Sequence, residues 1–378
     1  MNIIDKYIDY LVDNSTPDML LWNKEALSQG KKPSWNYIDG CMMNCLIEYS
    51  NITKNDKYYN FVKSYVNYFV DQNGVIKGYE KDKYALDDIC ASRILFALYA
   101  KEKDPKYLDA IKYTYSQIES QPRTLEGNFI HKAIYPNQVW LDGFYMVMPF
   151  YTKYINMFKN RDYSDVIHMY KVMDKYMYDS KAKLYYHGYD ESRVSFWANK
   201  ETGLSKSFWL RAEGWFLCSL VDIYEDILNI DSRAYVKELY IKAIKGILKY
   251  LNKKENMFYQ VINEGKRVGN YLETSGSSMV SYSILKAVRL GILPASYRKI
   301  GLKIFNGIKN KYLKEVDGTI SLGGICLVAG LGPENNKRRD GSFEYYISEL
   351  VVSDESKGIA PFIMAYLETL RCNDENRN

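Results

Sequence analysis

Apolar residues recur at i, i+3, i+4 and i+7 along almost the whole of this 378-residue chain. That is the spacing of a helix with one buried face, and its constant repetition leaves few folds open. The pattern predicts twelve helices, over 3–13, 36–50, 56–72, 87–101, 106–120, 140–157, 162–178, 208–228, 232–251, 274–290, 296–313 and 356–370. Start signals stand at Asn55 before Asp56, at Asp104-Pro105, at Ser207 before Phe208 and at Ser275. Three short β-like pieces, at residues 183–187, 257–261 and 319–322, each follow a helix and precede a Gly-rich or polar loop. They are expected to form small hairpins or irregular loops at one end of the helices. Helices recurring about every 30 residues predict six helical hairpins closed in a ring, an all-α (α/α)6 barrel. In a ring each hairpin buries its inner stripe against two neighbours, and no end unit is left exposed. Periodicity establishes the all-α class; closure is an expectation.

The length alone allows two domains, but no Pro/Gly/Ser-rich linker or shift in composition divides the chain. A single domain over 1–378 is expected, with a disordered tail over 371–378. With 51 basic and 46 acidic residues interspersed, the net charge is only +5 and no basic stripe for nucleic acid emerges. Short runs such as Lys253-Lys254 and Lys337-Arg338-Arg339 read as solvated surface. Six scattered cysteines form no zinc pattern and read as buried free thiols, so neither metal nor cofactor is expected. The first residues lack a basic n-region and an apolar h-region, and no run of about 18 apolar residues occurs, so a cytoplasmic protein without membrane contact is expected. The chain carries 37 tyrosines against 14 phenylalanines and 6 tryptophans, which suits a sugar pocket but also suits codon bias.

Three segments carry candidate chemistry. From His131 a loop passes Tyr135 and Pro136 into a helix expected near Trp140, with Asp142 in its first turn. A carboxylate there complements the helix dipole, which lowers its pKa. Trp140, Tyr145 and Met146 desolvate it, which raises the pKa, and a proton donor needs the second effect to win. Asp87 and Asp88 open another helix; about 100° apart, one is expected to face a pocket while the other caps or is solvated. Third, Trp209, Arg211 and Trp215 fall in the first two turns of a helix. They are either core tryptophans with an arginine, or a guanidinium between two indoles that clamps a sugar carboxylate. Two of the three histidines, His131 and His187, lie in these loops, and His168 sits mid-helix. The glycines from Gly323 to Gly332 follow no strand-to-helix pattern and read as a loop passing close to a ligand or another loop.

Together these motifs resemble glycoside hydrolase family 105, the unsaturated rhamnogalacturonyl hydrolases. The matching pieces are 35–40, 86–93, 131–146, 202–215, 271–279, 328–332 and 339–348, in consistent order over most of the chain. The resemblance implies an (α/α)6 barrel acting on lyase-derived oligosaccharides of pectin or rhamnogalacturonan with a C4=C5 double bond on the nonreducing uronic acid. It implies hydration of that bond without metal or nucleotide, and a monomer or small homo-oligomer is expected. By the same carry-over, Asp142 corresponds to the principal acid/base and Asp87 to its assisting carboxylate. Tyr37, His131, Trp140, His187, Trp209, Arg211 and Trp215 correspond to substrate-binding positions, with Arg211 or the histidines expected to meet the uronate. Glu213 and Lys206 depart from the family pattern, and Glu213 is expected to neutralise Arg211 or alter the aglycone subsite. The competing readings are an unsaturated glucuronyl hydrolase for other polysaccharide-lyase products, a sugar epimerase, which would call for paired histidines, and a noncatalytic sugar-binding protein.

Overall fold

The computed structural model describes residues 2–375. In chain order its helices are α1 (Ile3–Asp13), α2 (Lys24–Ser28), α3 (Tyr37–Thr53), α4 (Asp56–Phe69), α5 (Leu86–Ala91), α6 (Arg93–Glu102), α7 (Pro105–Ser120) and α8 (Gly143–Phe158). They continue with α9 (Ser164–Met177), α10 (Leu210–Asp226), α11 (Ile230–Ile247), α12 (Thr274–Arg289), α13 (Arg298–Tyr312), α14 (Phe343–Ser348) and α15 (Ser356–Glu375). Each of the twelve expected helices is present. The one expected over 87–101 is broken at Ser92, whose hydroxyl accepts from Trp35 Nε1 at 3.1 Å and shares a bond with Thr114 at 2.9 Å. Such side-chain bonds compete with the helical ladder.

Six helices pack side by side in the order α3, α5, α8, α10, α12, α15, and α15 returns to α3, so the ring closes. The other long helices lie outside it, α4 on α3, α7 on α6, α11 on α10 and α13 on α12. The expected (α/α)6 barrel is thus the observed fold. Inner helices are buried nearly all round: every residue of α12 from Thr274 to Val288 is buried, as is α10 from Leu210 to Tyr224. Outer helices bury one stripe only, as in α4, where Tyr58, Tyr59, Val62, Tyr65, Val66 and Phe69 face inward. The inner helices approach closely through small residues. A Cβ at Gly276 would come within 2.9 Å of the Leu210 backbone, so α12 and α10 can cross there only with glycine.

Asn55 and Asp104 cap their helices as expected. Two starts differ. Trp209 pairs with Val261 in a β-bridge, which keeps residues 208–209 extended and delays α10 to Leu210. Ahead of α12, the cap is Glu273, which accepts from Gly276 N at 2.8 Å, and Ser275 lies within the helix. The strands are short two-stranded ladders: β1 (Gln138–Trp140) with β4 (Gly188–Asp190), β2 (Tyr178–Asp179) with β3 (Leu184–Tyr185), β5 (Leu313–Val316) with β6 (Thr319–Leu322), and β7 (Ile325–Cys326) with β8 (Val351–Val352). Residues 257–261 make only isolated bridges. The expected tail is helical through Glu375, because α15 is an inner helix of the ring; residues 376–378 lie outside the described residues. Among the described residues no helix is long and apolar enough to cross a membrane.

Candidate active site

The N-terminal ends of α3, α5 and α8 meet at one mouth of the ring, around a cavity of about 290 Å³. Its wall includes Tyr37, Asp87, Asp88, His131, Lys132, Tyr135, Trp140, Asp142, Val328–Gly330 and Arg339. Three backbone bonds hold the acidic parts in register. His131 accepts from Leu86 N at 3.2 Å and donates to Gln138 O at 2.9 Å, while Leu141 N donates to His187 O at 2.8 Å. The β1–β4 ladder pairs Trp140 with Gly188, which sets His187 beside Asp142. At Gly143 a Cβ would sit 3.2 Å from His131 Nδ1, so the helix start accommodates the imidazole by having none.

Asp142 differs from the expected first-turn residue. Trp140 belongs to β1, α8 begins at Gly143, and Asp142 occupies the cap position without making a side-chain capping bond. Its Oδ1 is buried without any hydrogen bond and lies 3.7 Å from His187 Nε2, which also has no hydrogen-bond partner. Burial, reinforced by the charge of Asp87, raises the Asp142 carboxyl to about 7, so desolvation outweighs the dipole. Asp87 goes the other way. Burial pushes it up, but Lys132 at 2.6 Å and His131, with Nε2 at 3.8 Å, outweigh burial and hold it below its usual value. Two carboxyls on one wall are therefore pushed in opposite directions, and Asp142 still carries a proton in a large fraction of molecules at a pH where Asp87 is ionised.

Both Asp87 and Asp88 face the cavity, contrary to the expectation that one would turn away. Both stand in the first turn of α5, at the end of the helix that opens onto the mouth. Burial and the neighbouring Asp87 raise Asp88 to about 7. Burial lowers His131 to about 4 and His187 to about 3, so both rings are neutral. His187 Nδ1 is 2.6 Å from the Tyr346 hydroxyl. With that phenol donating, the imidazole proton sits on Nε2, toward Asp142. His131 stacks on Trp140 at 4.3 Å and 12°, and Trp140 Nε1 donates to Gln138 Oε1 at 3.1 Å.

The third expected segment is only partly at the site. Trp209 packs on His187 at 4.7 Å and stacks on Tyr346 at 5.7 Å, one layer behind the wall. Arg211 is 2 % exposed and absent from the wall. Its Nε donates to Ser275 Oγ at 2.8 Å, its Nη2 to the Cys326 carbonyl, and Glu273 stands 3.7 Å away as counter-ion. Trp215, one turn further along α10, stacks on Tyr145 at 4.3 Å inside the core, so it does not join a clamp around Arg211. Glu213 does not meet Arg211 either. It accepts from Tyr185 N, and burial raises it to about 8. Lys206 is paired outside with Asp340 at 2.6 Å.

Sequence reasoning missed Lys132, Tyr346, Glu25 and Arg339. Lys132 follows His131 directly and was legible as the one cation in that loop. Arg339 was read as part of a solvated run, yet the loop from 328 to 339 folds over the mouth and carries it to the wall. The expectation that this glycine-rich loop passes close to a ligand or another loop agrees with Val328–Gly330 lining the cavity.

The chain matches the profile of Glycosyl Hydrolase Family 88 over residues 11–373. A solved glycoside hydrolase of family 105 from C. acetobutylicum ATCC 824 is 38% identical with a TM-score of 0.88, covering 97% of this chain and 98% of that one. "Protein Atu3128" of Agrobacterium fabrum (strain C58 / ATCC 33970) is 39% identical over 192 residues, half of this chain and 82% of that protein. The "Unsaturated rhamnogalacturonyl hydrolase YesR" of Bacillus subtilis (strain 168) is 19% identical over 264 residues, 68% of this chain and 72% of that protein. With its closed ring of helical hairpins, a family profile spanning residues 11–373 and a 38% identical family 105 structure covering 97% of it, the chain belongs to the family 88 and 105 glycoside hydrolases and is a hydrolase of the unsaturated uronyl type.

Proposed function

We propose that the enzyme hydrates the C4=C5 double bond of a nonreducing-end unsaturated uronic acid on rhamnogalacturonan-lyase oligosaccharides. The observation that carries this reading is the split pair of carboxyls. Asp142, raised to about 7, keeps its proton in roughly half the molecules at pH 7, while Asp87, lowered by Lys132 and His131, is an anion. Pairs pushed apart in this way divide into acid and charge stabiliser. Asp142 delivers its proton to C4. Positive charge develops at C5, is shared with the ring oxygen, and is stabilised by the Asp87 carboxylate. Water adds its oxygen to C5 and returns a proton to the carboxylates, so the acid is restored. The hemiketal at C5 then opens, and the ring collapse releases the aglycone sugar from C1. His187, neutral and fully buried, backs Asp142 from behind the wall, with its Nε2 3.7 Å from Asp142 Oδ1. The choice of rhamnogalacturonan fragments is supported by the likeness to YesR.

The test is optical, because the conjugated double bond absorbs in the ultraviolet and hydration erases the band. The enzyme is expected to bleach a rhamnogalacturonan-lyase product faster than a glycosaminoglycan-lyase disaccharide, and Asp142→Asn to lose the activity by about 10³-fold or more. Unchanged rates in Asp142→Asn reject Asp142 as the acid. A preference for the glycosaminoglycan fragment rejects the substrate but keeps the reaction, and no bleaching of any unsaturated uronide rejects both.

A further inference from the structure

A uronic acid brings a carboxylate into a cavity already lined by Glu25, Asp87, Asp88 and Asp142. It needs a cation that the protein has not itself neutralised. Lys132 is held by Asp87 at 2.6 Å. Arg211 lies behind the wall with Ser275, the Cys326 carbonyl and Glu273. Lys357, buried behind Glu25, is shared between Glu25 at 2.8 Å and Glu355 at 2.7 Å. His131 and His187 are neutral rings. The remaining cation on the wall is Arg339, and among the described residues its guanidinium makes no hydrogen bond or ion pair. Its neighbours in sequence are spoken for: Arg338 binds Glu349 at 2.8 Å and Asp340 binds Lys206 at 2.6 Å, both directed away from the cavity.

Position 330 supports the same reading. A Cβ there would come 3.3 Å from Trp140 Cζ3 and 3.6 Å from Arg339 Nη1. The guanidinium and the indole edge thus flank a glycine, whose lack of a side chain leaves both able to meet a flat ring carrying a carboxylate. We propose that Arg339, rather than Arg211, receives the carboxylate of the unsaturated uronic acid and makes the site selective for charged uronides. A planar fork matches a carboxylate bidentately, which a lysine would not. This assignment rests on the uronide reading above.

The experiment compares kcat/KM for an unsaturated uronide bearing a free carboxylate with that for its methyl ester, in wild type, Arg339→Gln and Arg339→Lys. The ester serves as the control for folding. In Arg339→Gln the acid-over-ester ratio is expected to fall about 10- to 100-fold, carried by KM, because a charge-assisted pair is lost. Arg339→Lys is expected to recover part of it. Equal losses on both substrates, or an unchanged ratio, overturn the proposal. If the wild type consumes neither substrate, the uronide reading fails. Calorimetric binding of galacturonate against galactose then decides Arg339 by itself: a preference for the acid that vanishes in Arg339→Gln upholds it, and equal binding of the acid by both proteins overturns it.

Discussion

The raised carboxyl of Asp142 is set by burial and by Asp87, and removing the second contribution gives a quantitative prediction. A carboxyl at its ordinary 3.8 would hold a proton in about one molecule in 10³ at pH 7, whereas at about 7 roughly half the molecules are armed. In Asp87→Asn the like charge is gone. A unit charge acting over ~8 Å at an effective dielectric of ~20 contributes ~2 kcal/mol, or ~1.5 pKa units. Lys132, released from its partner, lowers Asp142 further, in the same direction as Arg211 already does. The assay is the pH dependence of kcat/KM in the ultraviolet bleaching reaction, whose alkaline limb reports loss of the protonated acid in the free enzyme. That limb is expected near pH 7 in the wild type and at about 5.5 in Asp87→Asn, even though the variant is slower throughout. An alkaline limb that stays in place or moves up refutes the electrostatic coupling of the two carboxyls.

Two further outcomes test the partition between site and core. Asp142→Asn is expected to stabilise the fold at pH 8 and leave it unchanged at pH 3, as read by the calorimetric Tm. Below pH ~4 both states are protonated, and between ~4 and about 7 only the unfolded chain ionises, so the wild type loses up to ~4 kcal/mol that the amide does not. Trp215→Ala is expected to cost about 3–5 kcal/mol of stability through the lost stack on Tyr145. In the fraction that remains folded its KM is expected to stay near the wild-type value, because the indole is not on the cavity wall; a large rise in KM would return Trp215 to the site.

Local pattern carried much of this protein. Helical periodicity is a property of neighbours three and four residues apart, so all twelve long helices were legible, and their count and spacing pointed to a closed ring. The acids at the helix starts were legible for the same reason: Asp87 and Asp142 sit where a loop enters an inner helix, and the inner helices start at one mouth. The direction of a side chain relative to distant elements was not. Arg211 and Trp215 lie one turn apart on α10 and looked equivalent, but the first is bound by Ser275 and Cys326, 64 and 115 residues away, and the second by Tyr145. Glu213, between them, points to the Tyr185 backbone. Arg339 looked like ordinary surface charge until the loop at 328–339 folded over the mouth. Which cation a substrate carboxylate can use depends on which cations the protein has already neutralised, and those pairings span the chain, so tertiary structure alone decided it.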